Sequence, residues 1–185
     1  MSQRVEDLQK IAQELDKHHI SYALGASGLL FALGLMEHRE MGDWDLFTEA
    51  PHGDVKKALK NFASKDTVCG DYPYATEYKI LFNEKGTAIE VAGNFAIYHQ
   101  DQLCKIPVVI SRIWEGIKLG SPEVWYVAYT LMERRASAHL LQSYLQSVGA
   151  DQKILALLMK EPLSEFLKDA LNKFPEKSAE SLEAN

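Results

Sequence analysis

The chain has only two cysteines, Cys69 and Cys104, in 185 residues. Their spacing makes neither a zinc-ligand pair nor a redox motif, so both read as free thiols, and a disulfide-stapled fold is set aside. No apolar run approaches the roughly 18 residues that a membrane-spanning helix needs. The first residues, Met1 to Asp7, lack the apolar core of a signal peptide, which sets the expectation of a cytoplasmic protein with no membrane contact. Excess positive charge is missing as well: 26 acids outnumber 20 lysines and arginines, leaving a net charge of −6. Broad contact with a nucleic-acid backbone needs clustered basic residues, so extensive nucleic-acid binding is not expected. A nucleotide stays within reach, because its phosphates can be met by bound metal and a few basic groups. There is no internal repeat and no linker. His38, His52, His99 and His139 show no metal-ligand spacing.

What is present reads as one globular unit. The length suits about one domain, and 46% apolar with 25% charged residues is ordinary for such a domain. Val5, Leu8, Ile11, Ala12 and Leu15 recur at helical spacing and predict an amphipathic helix over about 3–18. His18 and His19 end it, facing solvent. Ile20 to Leu24 reads as a short buried strand. Gly25-Ala26-Ser27-Gly28 turns into a helix over about 27–38, apolar nearly all round and so expected to be well buried. Asp43 to Phe47 reads as a second strand, and Val55, Leu59 and Phe62 mark a surface helix. Residues 64–76 read as an irregular loop. Tyr78 to Phe82 and Thr87 to Ala92 flank the turn signal Asn83-Glu84-Lys85-Gly86 and predict a hairpin. Asn94–Tyr98 and Ile106–Ile110 are further strand candidates. Ser121-Pro122-Glu123 combines an N-cap hydroxyl, a proline at the first helical position and an early acid, so a long helix is expected over about 122–147, ended by Gly149. Helical pattern continues to about 173. The sum is an α+β chain: an α/β core over 1–120, C-terminal helices over 121–174 packed on it, and a flexible tail over 175–185.

Three short stretches could carry chemistry. Asp43 and Asp45 are two apart on a strand, so both carboxylates project from one face. Like charges that close repel unless a cation sits between them, and hard oxygen ligands suit Mg²⁺. Trp44, Leu46 and Phe47 mark the element as buried, where a carboxylate needs a partner. Arg39 is the nearest basic residue in sequence. Gly25 to Ser27 joins a strand end to a helix start, where free N–H groups present partial positive charge to an anion. Ser27 could be the helix N-cap or could turn its hydroxyl to a phosphate. Glu90 shares a strand face with Ala88 and Ala92, which leaves room above it for a metal, a water or a substrate hydroxyl. Arg134 and Arg135 sit on the long helix. They read first as part of a solvated face, with a phosphate contact as the alternative. Trp125, Tyr126 and Tyr129, at helical spacing, read mainly as core.

The order strand–Gly-x-Ser–helix, then Asp-x-Asp on a strand, then an acid on a hairpin strand resembles the DNA polymerase β-like nucleotidyltransferase superfamily. The small bacterial type, with its antibiotic and minimal nucleotidyltransferases, is the nearest flavour. The resemblance spans about residues 20–110. It implies a mixed β-sheet flanked by helices, with a C-terminal helical segment. It implies Gly25 and Ser27 as the phosphate turn; beside it, Arg39 and Arg134 are candidate phosphate contacts on their charge and position alone. It also implies Asp43 and Asp45 as ligands of Mg²⁺ (two ions possible), and Glu90 as the third carboxylate, either ligand or general base. The activity implied is transfer of a nucleoside monophosphate from an NTP to a hydroxyl of an unknown small-molecule or macromolecular acceptor, by in-line displacement at the α-phosphorus. A pocket shared by a homodimer is compatible with so small a chain. Ala26, Trp44 and Glu90 depart from the usual motif residues. They leave a second reading open: a non-catalytic binding module, or one half of a two-component, toxin–antitoxin-like complex.

Overall fold

A computed structural model describes residues 3–37, 42–82 and 87–178, with side chains from Val5 onward. Its architecture follows from two periodicities. In α1 (Gln3–Lys17) the predicted stripe is the buried one: Leu8, Ile11, Ala12 and Leu15 are almost fully covered, while His18 and His19 lie exposed beyond its end. Each buried leucine or isoleucine of that stripe contributes about 1.5–3 kcal/mol relative to exposure. The strands alternate with period two. In β2 (Trp44–Thr48), Trp44, Leu46 and Thr48 are buried on one face, and Asp45 and Phe47 are half-buried on the other.

Seven strands form one mixed sheet. In spatial order they are β3 (Ser64–Thr67), β4 (Tyr78–Phe82), β5 (Ile89–Gly93), β2, β1 (Tyr22–Leu24), β9 (Ile117–Gly120) and β8 (Ile110–Trp114). The β2–β5 and β1–β9 pairs are parallel; the other four are antiparallel. A separate antiparallel hairpin pairs β6 (Ala96–His99) with β7 (Gln102–Lys105). The helices are α2 (Ala26–Ala32), α3 (His52–Ala58), α4 (Pro122–Leu131), α5 (Arg135–Val148), α6 (Gln152–Leu158) and α7 (Glu165–Asn172). The α+β expectation holds, and the strands that carry Asp45 and Glu90 are where the alternation put them.

Four local expectations need correction. The second helix is only seven residues long, because the chain turns at Leu33 and Gly34 takes φ +74°; Phe31, Leu33, Leu35 and Met36 are half-buried rather than enclosed. The stretch 64–76 contains an edge strand, β3, before its irregular part. The strand candidates after Gly93 resolve into four short strands, β6 to β9. The long helix is two helices: Glu133 adopts φ +57° and Arg134 has ψ 70°, which breaks the run between α4 and α5. The helix start at Ser121 is as expected, with its hydroxyl accepting from Val124 N and Pro122 at the first position. Gly149 ends α5 as expected. Beyond α7, residues 175–177 are tied down: Ala150 N donates to Pro175 O, and Lys177 N donates to Ala150 O. The turn Asn83–Gly86 lies outside the described residues, but β4 and β5 pair antiparallel on either side of it.

Candidate active site

Pairing in the sheet gathers the candidate side chains. The β2–β5 register sets Asp45 directly beside Glu90 and Phe47 beside Ala92. Because paired residues share a face, both carboxylates project from the same side. In the β4–β5 ladder Lys79 stands opposite Ala92 and Leu81 opposite Glu90. Ala92 is small, so the lysine stem can run diagonally over it. Its ammonium forms an ion pair with Glu90 Oε2, and both side chains are mostly buried.

Asp45, Phe47, Lys79 and Ala92 line a cavity of about 310 Å³, and Glu90 stands beside Asp45 at its margin. Ala26, Asp45, Lys79 and Arg134 supply its polar and backbone lining; Phe47, Phe95, Trp125 and Tyr129 supply the aromatic part. The segment Val68-Cys69-Gly70 and Tyr74 complete the rim. The rings pack on one another, Phe47 at 4.8 Å and Tyr129 at 5.5 Å from Trp125 between centroids, with Phe95 stacked on the indole at 6.1 Å. Trp125 therefore has two roles. It is core, as its spacing suggested, and it also walls the cavity. Tyr126 points elsewhere and packs edge-on against Phe174.

Electrostatics single out Asp45. Burial pushes its carboxyl from the usual 3.8 up to about 7; the negative charge of Glu90 adds to this, Lys79 pulls it back, Asp43 raises it, and Arg134 lowers it. Tyr129 is also pushed upward, first by burial and then by Asp45, so its phenol stays neutral beside the acid. Asp43 lies just before β2 and is exposed, near enough for its charge to act on Asp45. Among the described residues no three His, Cys, Asp or Glu side chains converge as a metal cluster. The structure thus brings Asp45 and Glu90 together and leaves Asp43 at the edge. The donor chemistry still suits a hard cation. Two adjacent half-buried carboxylates on one sheet face, one driven toward protonation partly by the other, are what such an ion relieves.

The turn Gly25–Ser27, expected to meet phosphate, is adjacent to these acids, with revised reasons. Ser27 is not the N-cap of α2. Gly25 holds that position without a side-chain bond, and the Ser27 hydroxyl makes a long 3.5 Å contact to Asp43 O. Gly25 N donates to Asp45 O, which ties the turn to the acid strand. Gly25 has extended backbone angles that any residue adopts. Its missing side chain is needed because a Cβ there would lie 2.1 Å from Trp125 Cζ2. The left-handed residue is Ala26, at φ +48°. Arg39 lies outside the described residues. Arg134 and Arg135 are both exposed, as the solvated-face reading expected, but Arg134, at the break between α4 and α5, also lines the cavity, whereas Arg135 begins α5 outside it.

Lys79 is the site residue that the sequence reading missed. A signal for it exists: folding the hairpin about Asn83–Gly86 puts residue 81 opposite 90, so a basic residue two positions earlier comes within diagonal reach of an acid.

No family model and no curated protein matches the sequence. Solved structures do match. TM1012 of Thermotoga maritima, assigned as a nucleotidyltransferase, is 20% identical with a TM-score of 0.58, over 77% of this chain and 92% of its own. ANT(2")-Ia in complex with adenylyl-2"-tobramycin is 12% identical with a TM-score of 0.53, over 86% of this chain and 97% of that one. A solution structure of ANT(2")-Ia, described as an antibiotic-resistance factor, is 14% identical with a TM-score of 0.55, over 84% and 89%. At such identities the likeness speaks for architecture. This chain has the nucleotidyltransferase fold.

Proposed function

We propose that the chain is a metal-dependent nucleotidyltransferase that moves a nucleoside monophosphate from an NTP to a hydroxyl of an acceptor molecule. The observation that carries this is Asp45, paired in register with Glu90, in a cavity also lined by two cations, Lys79 and Arg134. The fold supports it, as does a neighbour in complex with adenylyl-2"-tobramycin.

Each group has a task in this reading. Asp45 and Glu90, with Asp43 beside them, would hold Mg²⁺, one ion or two. When bound, the metal supplies charge neutralisation for the triphosphate and for the attacking oxygen. Arg134 and Lys79 face the phosphates, and the Gly25–Ser27 turn lies against the same strand. The aromatic wall of Phe47, Phe95, Trp125 and Tyr129 offers apolar contact to the rest of the nucleotide and keeps water from Asp45. In the transfer the acceptor oxygen bonds to the α-phosphorus, the bond to the pyrophosphate oxygen breaks, and Glu90 takes the hydroxyl proton. The protein's contribution is mainly positioning and charge.

The test is a transfer assay with ATP, GTP, CTP and UTP labelled at the α-phosphate, run with Mg²⁺ against small-molecule alcohols and RNA 3′ ends. Label should pass to an acceptor with the wild type and fail to pass with Asp45→Asn. Nucleotide binding that needs no metal, with no transfer to any acceptor, would favour the non-catalytic binding module instead.

A further inference from the structure

We propose that Lys79 is a built-in counter-cation that keeps Glu90 from binding divalent metal until the phosphates of a nucleotide draw the lysine away. The inference rests on the nucleotidyltransferase reading and concerns the order in which that site assembles.

The two neighbouring carboxylates are unequally served. Glu90 is ion-paired to Lys79, with side chains 18% and 28% exposed respectively. Among the described residues Asp45, its neighbour in register, makes no ion pair, although Lys79 and Arg134 both act on it through space. A divalent ion arriving alone must therefore compete with an ammonium already seated on Glu90. It must also approach past two positive side chains that line the same cavity. A triphosphate changes the balance. Its oxygens are acceptors that a flexible lysine can reach from the same cavity wall, and they carry more negative charge than Glu90. Once Lys79 swings to phosphate, Glu90 is released as an oxygen ligand beside Asp45. Lys79 thus acts on the metal through Glu90 and is a positioning residue in this role. The consequence is ordered binding: weak metal affinity without nucleotide, and full affinity with it.

Nucleotide-free Mn²⁺ binding, followed by the paramagnetic resonance of the free ion, is the direct test. Lys79→Gln should bind Mn²⁺ roughly tenfold or more tightly than the wild type, because Glu90 is released. Lys79→Arg, which keeps the cation, should resemble the wild type. The double variant Lys79→Gln with Glu90→Gln should lose the gain and return to about wild-type affinity. A merely structural role for Lys79 could weaken Mn²⁺ binding but not tighten it. Unchanged or weaker binding in Lys79→Gln overturns the proposal, as does tightening that survives in the double variant. The double variant also serves if Lys79→Gln alone fails to fold: Mn²⁺ affinity far below wild type there means Glu90 already ligates in the resting chain. Failure of the transferase reading looks different, since Mn²⁺ would bind as described while no nucleotide did.

Discussion

Asp45 and Glu90 occupy the same register position on neighbouring parallel strands, so two carboxylates stand side by side on one sheet face, with Asp45 lining the cavity. Burial and this pairing hold Asp45 at about 7, above its unfolded value near 3.8. The sign follows from linkage. Between about pH 4 and pH 7 the folded chain keeps a proton on Asp45 that the unfolded chain has lost. Metal-free stability should therefore fall as pH rises through that window and level off above it. Asp45→Asn should remove the dependence and be more stable at pH 8, by a few kcal/mol at most, since each pKa unit is worth about 1.4 kcal/mol. Denaturant midpoints across pH, without metal, measure both effects. A flat wild-type profile over that range would show that the Asp45 carboxyl is not strained.

Gly25 and Trp125 form a second contact with a sharp consequence. Gly25→Ala places a methyl where the indole sits, so the ring must move and the cavity wall with it. The expected cost is about 1–3 kcal/mol of stability, as for other overpacked cores, with a change in tryptophan fluorescence and weaker nucleotide binding. A thermal melt and an emission spectrum check it.

Ala26 is the complementary case. Its φ of +48° is one that glycine adopts without penalty. Ala26→Gly should stabilise the chain by about 1 kcal/mol, seen as a higher denaturant midpoint. A loss of stability would mean that the alanine methyl contributes packing that outweighs the backbone strain.

Arg134 and Arg135 are neighbours with different fates. Arg134→Gln should weaken nucleotide binding about tenfold and reduce its salt dependence. Arg135→Gln should change neither, because only Arg134 lines the cavity. Both are exposed, so stability should be almost untouched. Affinity measured at two salt concentrations separates them.

These contrasts show what was legible in the chain before folding. The acids were, because period-two alternation in β2 and β5 is strong: Trp44 and Leu46, like Ile89 and Val91, are apolar residues that must face the core and so aim Asp45 and Glu90 the other way. The break at Glu133 was not, because no glycine or proline marks it and the flanking residues favour helix on both sides. A non-glycine residue took the left-handed conformation, which sequence reads poorly. The β6–β7 hairpin hid for the same reason, since Gln100 and Asp101 both have positive φ without the usual Asn-Gly signal. Lys79 was hidden differently: its role depends on a partner, Glu90, eleven residues away across a turn. The need for Gly25 was visible, but its cause, the indole of Trp125, is a tertiary contact.

The central claim is that this cavity binds nucleotide through metal held on Asp45 and its neighbours. Titration calorimetry of ATP into the chain, with and without Mg²⁺, tests it most directly. The account predicts that ATP binds only when Mg²⁺ is present and that the double variant Asp43→Ala with Asp45→Ala abolishes binding. ATP binding that is equal without metal, or that survives in the double variant, would contradict it.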